Sequence, residues 1–146
     1  MKRIFCEIEK CLACRSCELA CADAHSLHRP RIHVEAIDDK GKLYRVRAIA
    51  IQCQHCEEPA CVLACISGGI RKDEKTGEIT INLEKCIGCW SCIMVCPIGA
   101  IKRNKNMHQA LKCDRCPELE TPACIIACPT GALILCGDKE AVLEKN

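Results

Sequence analysis

The sequence predicts an α+β fold of short strands and short helices, built from small repeated units. Three observations predict it. Sixteen of the 18 cysteines fall into four quartets, each closed by C-x3-C: Cys11, Cys14, Cys17, Cys21; Cys53, Cys56, Cys61, Cys65; Cys86, Cys89, Cys92, Cys96; and Cys113, Cys116, Cys124, Cys128. A five-residue phrase recurs after three of them, ISGGI at 66–70, PIGAI at 97–101 and PTGAL at 129–133, as expected of stacked copies of one unit. The strand signals between quartets are short.

The elements follow in chain order. Residues 2–8 read as a strand, and 17–27 as a helix carrying the last two cysteines of the first quartet. A strand at 46–52 precedes a short helix at 60–65. The turn DEKTGE at 73–78 forms a hairpin loop before a strand at 79–83. A helix at 90–96, a strand at 100–103, a helix at 122–128 and a strand at 132–135 complete the repeat. Gly137-Asp138 ahead of KEAVLEK predicts an N-capped terminal helix. Pro97 and Pro129 stop the helices that carry Cys96 and Cys128, and the glycine of each phrase turns the chain into the next strand. Ala22 and Ile66 occupy the proline position after the first two quartets. No Gly/Ser-rich linker divides the chain, whose 146 residues suit one domain or two very small ones.

A cysteine content of ~12% points to a disulfide scaffold or a metal protein. The opening MKRIFCEIEK has no apolar h-region and no twin-arginine pair, so a cytoplasmic, reducing location is expected, which disfavours disulfides. C-x2-C spacing also suits chelation better than mutual disulfides. No apolar run is long enough to span a membrane. The 49% hydrophobic content counts the cysteines; without them roughly 37% remains, with one Phe, one Tyr and one Trp. So few aromatics cannot build an ordinary core. Metal clusters must form much of it, and the metal-free chain is expected to be largely unfolded.

A C-x2-C-x2-C loop wraps three corners of a cubane [4Fe–4S] cluster, and the cysteine one helical turn on reaches a different cluster. Four complete quartets therefore imply four [4Fe–4S] clusters and a protein that moves electrons. In a two-cluster ferredoxin unit, three cysteines of one quartet share a cube with the last of the other. Spacing allows the quartets to pair first with second and third with fourth, or second with third inside first with fourth. Cubes carrying about −2 each take the formal charge of +2 to about −6, which removes any electrostatic argument for nucleic-acid binding. A zinc module would pair C-x2-C with a second C-x2-C or with H-x3-H. A self-contained oxidoreductase would need a dinucleotide fingerprint, which is missing, and room for a substrate pocket. No residue is assigned a catalytic role, because the clusters carry the redox function.

The stretches CLACRSCELAC, CQHCEEPACVLAC, CIGCWSCIMVCP and CDRCPELETPACIIACPTGAL resemble the four-cluster electron-transfer subunits of the dimethylsulfoxide-reductase and formate-dehydrogenase type, over nearly the whole chain. The resemblance implies two interleaved bacterial-type ferredoxin-like units, an outer one at 1–45 plus 105–146 and an inner one at 46–104. It implies outer clusters on Cys11, Cys14, Cys17 with Cys128, and on Cys113, Cys116, Cys124 with Cys21. The inner clusters would be on Cys53, Cys56, Cys61 with Cys96, and on Cys86, Cys89, Cys92 with Cys65. Some members carry a three-iron centre where a third-quartet cysteine is replaced; this chain keeps all four, so four cubanes are expected. The opening MKRIFCEIEKCLACRSCELACADAHS, with KCDRCPELETPACIIACPTGAL, is similar to the iron–sulfur partner of anaerobic carbon monoxide dehydrogenase. That likeness implies carbon monoxide dehydrogenase as donor and a hydrogenase, a flavoprotein reducing NAD(P)+ or a ferredoxin as acceptor. Partners of formate dehydrogenase, another molybdenum or tungsten oxidoreductase, hydrogenase or flavin oxidoreductases look similar. Against the long insertions and membrane-docking extension of respiratory subunits, the shortness of this sequence makes a quinone-linked role unexpected.

The remaining residues carry bland expectations. Cys6 and Cys136 read as small apolar residues of the terminal strands, with a redox pair as the minor alternative. His55, inside the second quartet, reads as solvent-facing or hydrogen-bonding, and His25, His28, His33 and His108 as ordinary. Arg29, Arg31, Lys40, Lys42, Arg45 and Arg47 form one basic stretch, and Lys102, Arg103, Lys105 and Lys112 another. They are either a solvated face or cations that raise cluster potentials and guide docking. Trp90 is expected to shield a cluster from water. Pro59, Pro117 and Pro122 stiffen the wider loops of the second and fourth quartets.

Overall fold

The computed structural model describes residues 2–26, 29–37, 47–104 and 106–137. The elements are β1 (Lys2–Cys6), a 3-10 turn at Ile8–Lys10, α1 (Ser16–Ala24), β2 (His33–Ile37), β3 (Arg47–Ile51), α2 (Ala60–Leu63), β4 (Ile70–Lys72), β5 (Ile79–Ile81), α3 (Ser91–Met94), β6 (Lys102–Asn104), β7 (Gln109–Leu111), α4 (Ala123–Ile126) and β8 (Leu133–Gly137). The α+β class with short elements holds. The strands form four antiparallel two-stranded sheets: β1 with β8, β2 with β3, β4 with β5, and β6 with β7. A two-stranded ribbon is marginal unless something else covers it, so these ribbons depend on the helices and the cysteine-lined sites between them.

Local chemistry explains the best-defined pieces. In the β4–β5 hairpin, the Asp73 carboxylate accepts the Lys75 and Thr76 N–H groups at 2.8 and 2.7 Å, and Gly77 takes φ +71°. DEKTGE is thus the hairpin loop its composition predicts. Pro59 and Pro122 cap the N-termini of α2 and α4, their carbonyls accepting the N–H groups of Val62 and Ile125, both at 2.9 Å. The recurring phrase has one geometry: Gly68, Gly99 and Gly131, each three residues past a closing cysteine, adopt φ of +62°, +61° and +64°. Each donates its N–H to that cysteine's carbonyl, at 3.0, 3.2 and 3.2 Å.

Two buried cores result. The larger joins Ile4, Ile32, Val34, Ala48, Ala50, Ala100 and Leu133 to Cys17, Cys21, Cys53, Cys113 and Cys124. The smaller joins Ile70, Ile79, Ile101 and Ala110 to Cys92. Strand β3 packs on β1 and in the larger core, while β7 pairs with β6 in the smaller. Helix α1 packs on α4, and α2 on α3. Quartet one therefore meets quartet four, and quartet two meets quartet three.

Several expectations need adjusting. The sequence signals do not predict strands β2, β4 and β7; β4 and β7 have three residues each, too few to show a period of two. The helix expected at 17–27 ends at Ala24, and those at 60–65, 90–96 and 122–128 shrink to four residues each. Gly137 closes β8, and the terminal helix expected beyond it lies outside the described residues. Among the described residues no helix is long and apolar enough to cross a membrane.

Candidate metal centres

The C-x2-C loops share a backbone device. The second spacer residue of every quartet has positive φ: Ala13 (+56°), His55 (+47°), Gly88 (+66°) and Arg115 (+65°). Only one of these is glycine, and a side chain in this region costs of order 1 kcal/mol or more. The loops accept that cost four times over. Turns of this kind line up N–H groups as cradles for anions. Arg15 and Trp90 repeat the conformation just before α1 and α3, at +60° and +66°.

Sulfurs from different quartets converge. One cavity is lined by Cys11, Cys14, Cys17 and Cys128, with Cys6 beside them. Another is lined by Cys65, Cys86, Cys89 and Cys92, with Trp90 on its wall. Cys124 feels the charges of Cys113, Cys21 and Cys116, and Cys61 those of Cys53, Cys96 and Cys56. Each of the two cavities thus holds three cysteines of one quartet beside the last of another.

The donor chemistry discriminates between metals. All 18 cysteines are free. Tetrahedral zinc, with Zn–S near 2.3 Å, brings its sulfurs to about 3.8 Å from one another. Among the described residues, the one trio of ligand atoms within 4.8 Å is His25, Asp114 and Cys116; no three cysteine sulfurs come that close. That spacing does not suit a tetrahedral zinc held by cysteines alone.

Electrostatics supports the same fit. Burial, chiefly, pushes the thiols of Cys17 and Cys113 up to about 12 and that of Cys92 to about 11. Without a metal these sulfurs keep their protons, so metal must supply the free energy of ionisation. The closing cysteines are better provided with donors. Cys21, Cys65 and Cys96 accept the N–H groups of Arg31, Ile70 and Ala100 at 3.3, 3.3 and 3.4 Å. Burial works against ionising Cys128, but the Leu133 N–H and the Thr130 hydroxyl outweigh it and hold its thiol below the ordinary value. The repeated phrase after Cys65, Cys96 and Cys128 is therefore a device for donating hydrogen bonds to sulfur. Such bonds tune cluster potentials.

Some sequence readings change on this geometry. Of the two readings of His55, solvent-facing fails and hydrogen-bonding holds: it is 1% exposed, and its Nδ1 accepts the Ile79 N–H at 2.9 Å. Burial first, then the charges of Lys112 and Arg115, lowers it to about 3. Cys6 and Cys136 are not a redox pair. In the β1–β8 register Cys6 faces Leu133 and Cys136 faces Arg3, an odd offset that places them on opposite faces of the ribbon. His25 is not ordinary, its Nε2 lying 3.5 Å from Cys116 Sγ and 3.4 Å from Asp114. The cross-over rule could have signalled it, since His25 sits one turn beyond Cys21. Several basic residues have partners: Arg31 pairs with Asp114, Arg47 with Glu9, Lys102 with His33 at 3.1 Å, and Arg103 lies 5.0 Å over the Trp90 ring. Lys112 is buried. His28, Lys40, Lys42, Arg45 and Lys105 lie outside the described residues. A further repeat escaped sequence reading. Leu19, Leu63, Met94 and Ile126, each two residues past a third cysteine, are 70–87% exposed, as apolar caps beside the sites.

Cysteines grouped across quartets, in loops shaped to cradle anions, define an iron–sulfur protein. The model of the 4Fe-4S dicluster domain matches residues 44–138, and the chain belongs to that family, with [4Fe–4S] clusters as its cofactors. It is 37% identical over 152 residues to an iron–sulfur protein of Rhodospirillum rubrum, covering 89% of this chain and 79% of that one. It is 34% identical over 145 residues to the B subunit of the anaerobic dimethyl sulfoxide reductase of Escherichia coli (strain K12), covering 88% and 70%. The electron transport protein HydN of the same organism is 34% identical over 163 residues, covering 93% and 87%. The chain is an electron-transfer iron–sulfur protein of this kind.

Proposed function

We propose that this chain carries electrons along four [4Fe–4S] clusters between a catalytic oxidoreductase subunit and a downstream acceptor. When bound, the clusters supply one-electron carriers; the protein binds them, spaces them and shields them. The carrying observation is the grouping of closing cysteines with foreign quartets, supported by the α1–α4 and α2–α3 packing. On this reading Cys11, Cys14, Cys17 and Cys128 hold one outer cluster, and Cys113, Cys116, Cys124 and Cys21 the other. Cys53, Cys56, Cys61 and Cys96 hold one inner cluster, and Cys86, Cys89, Cys92 and Cys65 the other. Two ferredoxin-like units are thereby interleaved, the inner within the outer.

The proposed donor is carbon monoxide dehydrogenase, on the likeness of residues 1–26 and 112–133. The proposed acceptor is a hydrogenase, a flavoprotein reducing NAD(P)+ or a ferredoxin, and the proposed location is the cytoplasm. The exposed Leu19, Leu63, Met94 and Ile126 offer apolar contact for partners close to the clusters. Identity to the B subunit of a dimethyl sulfoxide reductase favours a second reading, in which the partner is formate dehydrogenase or another molybdenum or tungsten oxidoreductase.

Anaerobic purification should give a brown protein with about sixteen irons per chain. Four zincs and no colour would overturn the cluster reading. Purified carbon monoxide dehydrogenase with carbon monoxide should bleach the protein within seconds. Bleaching by formate dehydrogenase and formate, but not by that pair, would select the second reading.

A further inference from the structure

Three cations lie against the fourth quartet and its flanks. Arg31 is paired with Asp114, and Arg115 with Glu78. Lys112 differs from both. It is 4% exposed, and its ammonium donates to two backbone carbonyls, Ile79 and, at 2.8 Å, Cys113. Among the described residues it makes no ion pair with a carboxylate. A buried ammonium held by neutral carbonyls is heavily penalised unless an anion lies near. The carboxylates nearest in sequence to Lys112 and to its acceptor Ile79 are Asp114 and Glu78, already taken by Arg31 and Arg115, which leaves the cysteine sites on either side.

Its two acceptors belong to different parts of the fold. Ile79 opens strand β5 and sits in the smaller core beside Cys92. Cys113 opens the fourth quartet and sits in the larger core. Cys61 packs against the same smaller core as Ile79, so the Lys112 ammonium, bonded to the Ile79 and Cys113 carbonyls, lies between an inner site and an outer one. The other buried polar side chains, Gln52 and His55, give it no countercharge. Gln52 is neutral and donates to the Ile4 carbonyl, and the His55 ring accepts the Ile79 N–H.

We propose that Lys112 is the shared counter-cation of two clusters, the inner one on Cys53, Cys56, Cys61 and Cys96 and the outer one on Cys113, Cys116, Cys124 and Cys21. This inference rests on the ligand sets proposed above. A fixed positive charge stabilises the reduced, more negative state of a cluster and raises its potential. Lys112 would thus hold the potentials of both clusters above those a neutral side chain would allow. No atom would be transferred, since a [4Fe–4S] group supplies only a one-electron carrier when bound.

The test is a redox titration of the purified holoprotein followed by electron paramagnetic resonance, with wild type, Lys112→Gln, Lys112→Met and Lys112→Arg compared. Iron content is measured first. If wild type lacks four cubanes, the ligand assignment fails before Lys112 is questioned. If four are present, the neutral variants should lower two midpoints, each by at least a tenfold change in the reduction equilibrium, which is about 59 mV for one electron. The other two midpoints should hold, and Lys112→Arg should keep all four. Four unmoved midpoints, or four moved equally, overturn the proposal while leaving the cluster count intact. Should both neutral variants lose clusters while Lys112→Arg keeps them, the charge serves assembly rather than potential, and the proposal is equally overturned.

Discussion

Replacing Gly88 by alanine tests whether the metal-binding loops are shaped by their surroundings or only by their own backbone. A Cβ built at Gly88 would lie 2.3 Å from the carbonyl oxygen of His108, in the turn between β6 and β7. Cβ atoms essentially never come within 3.0 Å of another heavy atom, so one backbone must retreat by roughly 0.7 Å in a region packed like a crystal. The retreat costs about 1–3 kcal/mol, as other overpacking does. The positive φ adds about 1 kcal/mol. The total of ~2–4 kcal/mol corresponds to a fall of about 8–15 °C in the temperature at which cluster colour is lost, for a chain of this size. Gly99 and Gly131 provide the controls, having the same sign of φ and nothing within 4 Å of a built Cβ. Their alanine variants should lose only about 1 kcal/mol, or ~4 °C. Ala13, His55 and Arg115 already carry a Cβ at the position Gly88 holds in its own loop. The contact with His108, not the φ angle, must therefore separate Gly88 from the rest. Thermal bleaching under anaerobic conditions, with iron content measured before and after, reads the difference. Equal losses in all three variants would refute the reasoning.

Other consequences are as open to measurement. Removing iron with a chelator should abolish most of the far-ultraviolet circular dichroism, because the ribbons are two-stranded and the buried thiols of Cys17, Cys92 and Cys113 are unfavourable to ionise without metal; retained ellipticity would show a core independent of the clusters. His55 is depressed in the fold to about 3, so it contributes stability above its ordinary value near 6.5, lost as pH falls from there towards 3. Wild type should therefore lose denaturant resistance between about pH 7 and 4.5 more steeply than His55→Gln, whose carbonyl can still accept the Ile79 N–H; parallel slopes would contradict a buried neutral ring. Cys6→Ser should keep the wild-type iron content, since Cys11, Cys14, Cys17 and Cys128 line that cavity without it; loss of about four irons would make Cys6 a ligand. Asp114→Ala removes the acceptor of the Cys116 N–H at 3.1 Å and the partner of Arg31, and should speed oxygen bleaching of one cluster several-fold while the rest bleach as before.

Much of the site was legible because cluster ligation is a matter of short spacings. Cysteines three apart share a loop, and a closing cysteine four further on sits on the next turn; both follow from covalent geometry. The phrase after Cys65, Cys96 and Cys128 was visible too, though its use as an N–H donor to sulfur needs the positive φ of Gly68, Gly99 and Gly131. The polar interior was not legible. Gln52, His55 and Lys112 are buried because segments far apart in sequence close over them. Strand register was equally out of reach: only the pairing of Arg3 with Cys136 shows that Cys6 faces away from it. The short strands β4 and β7 exist because their partners β5 and β6 hold them, not because three residues carry a signal.

The pairing of β1 with β8 has a consequence for biogenesis. β1 leaves the ribosome early, yet its hydrogen-bonding partner at Leu133–Gly137 is among the last described residues to appear. Helices α2 and α3 and the β4–β5 hairpin emerge together long before that. The cavity lined by Cys65, Cys86, Cys89 and Cys92 can thus form on the nascent chain, while β1 waits as an open edge of the kind that invites mispairing. A ribosome-bound chain stalled before Leu133 should already hold some iron and still expose β1 to protease, and release of the full chain should close that edge like a clasp.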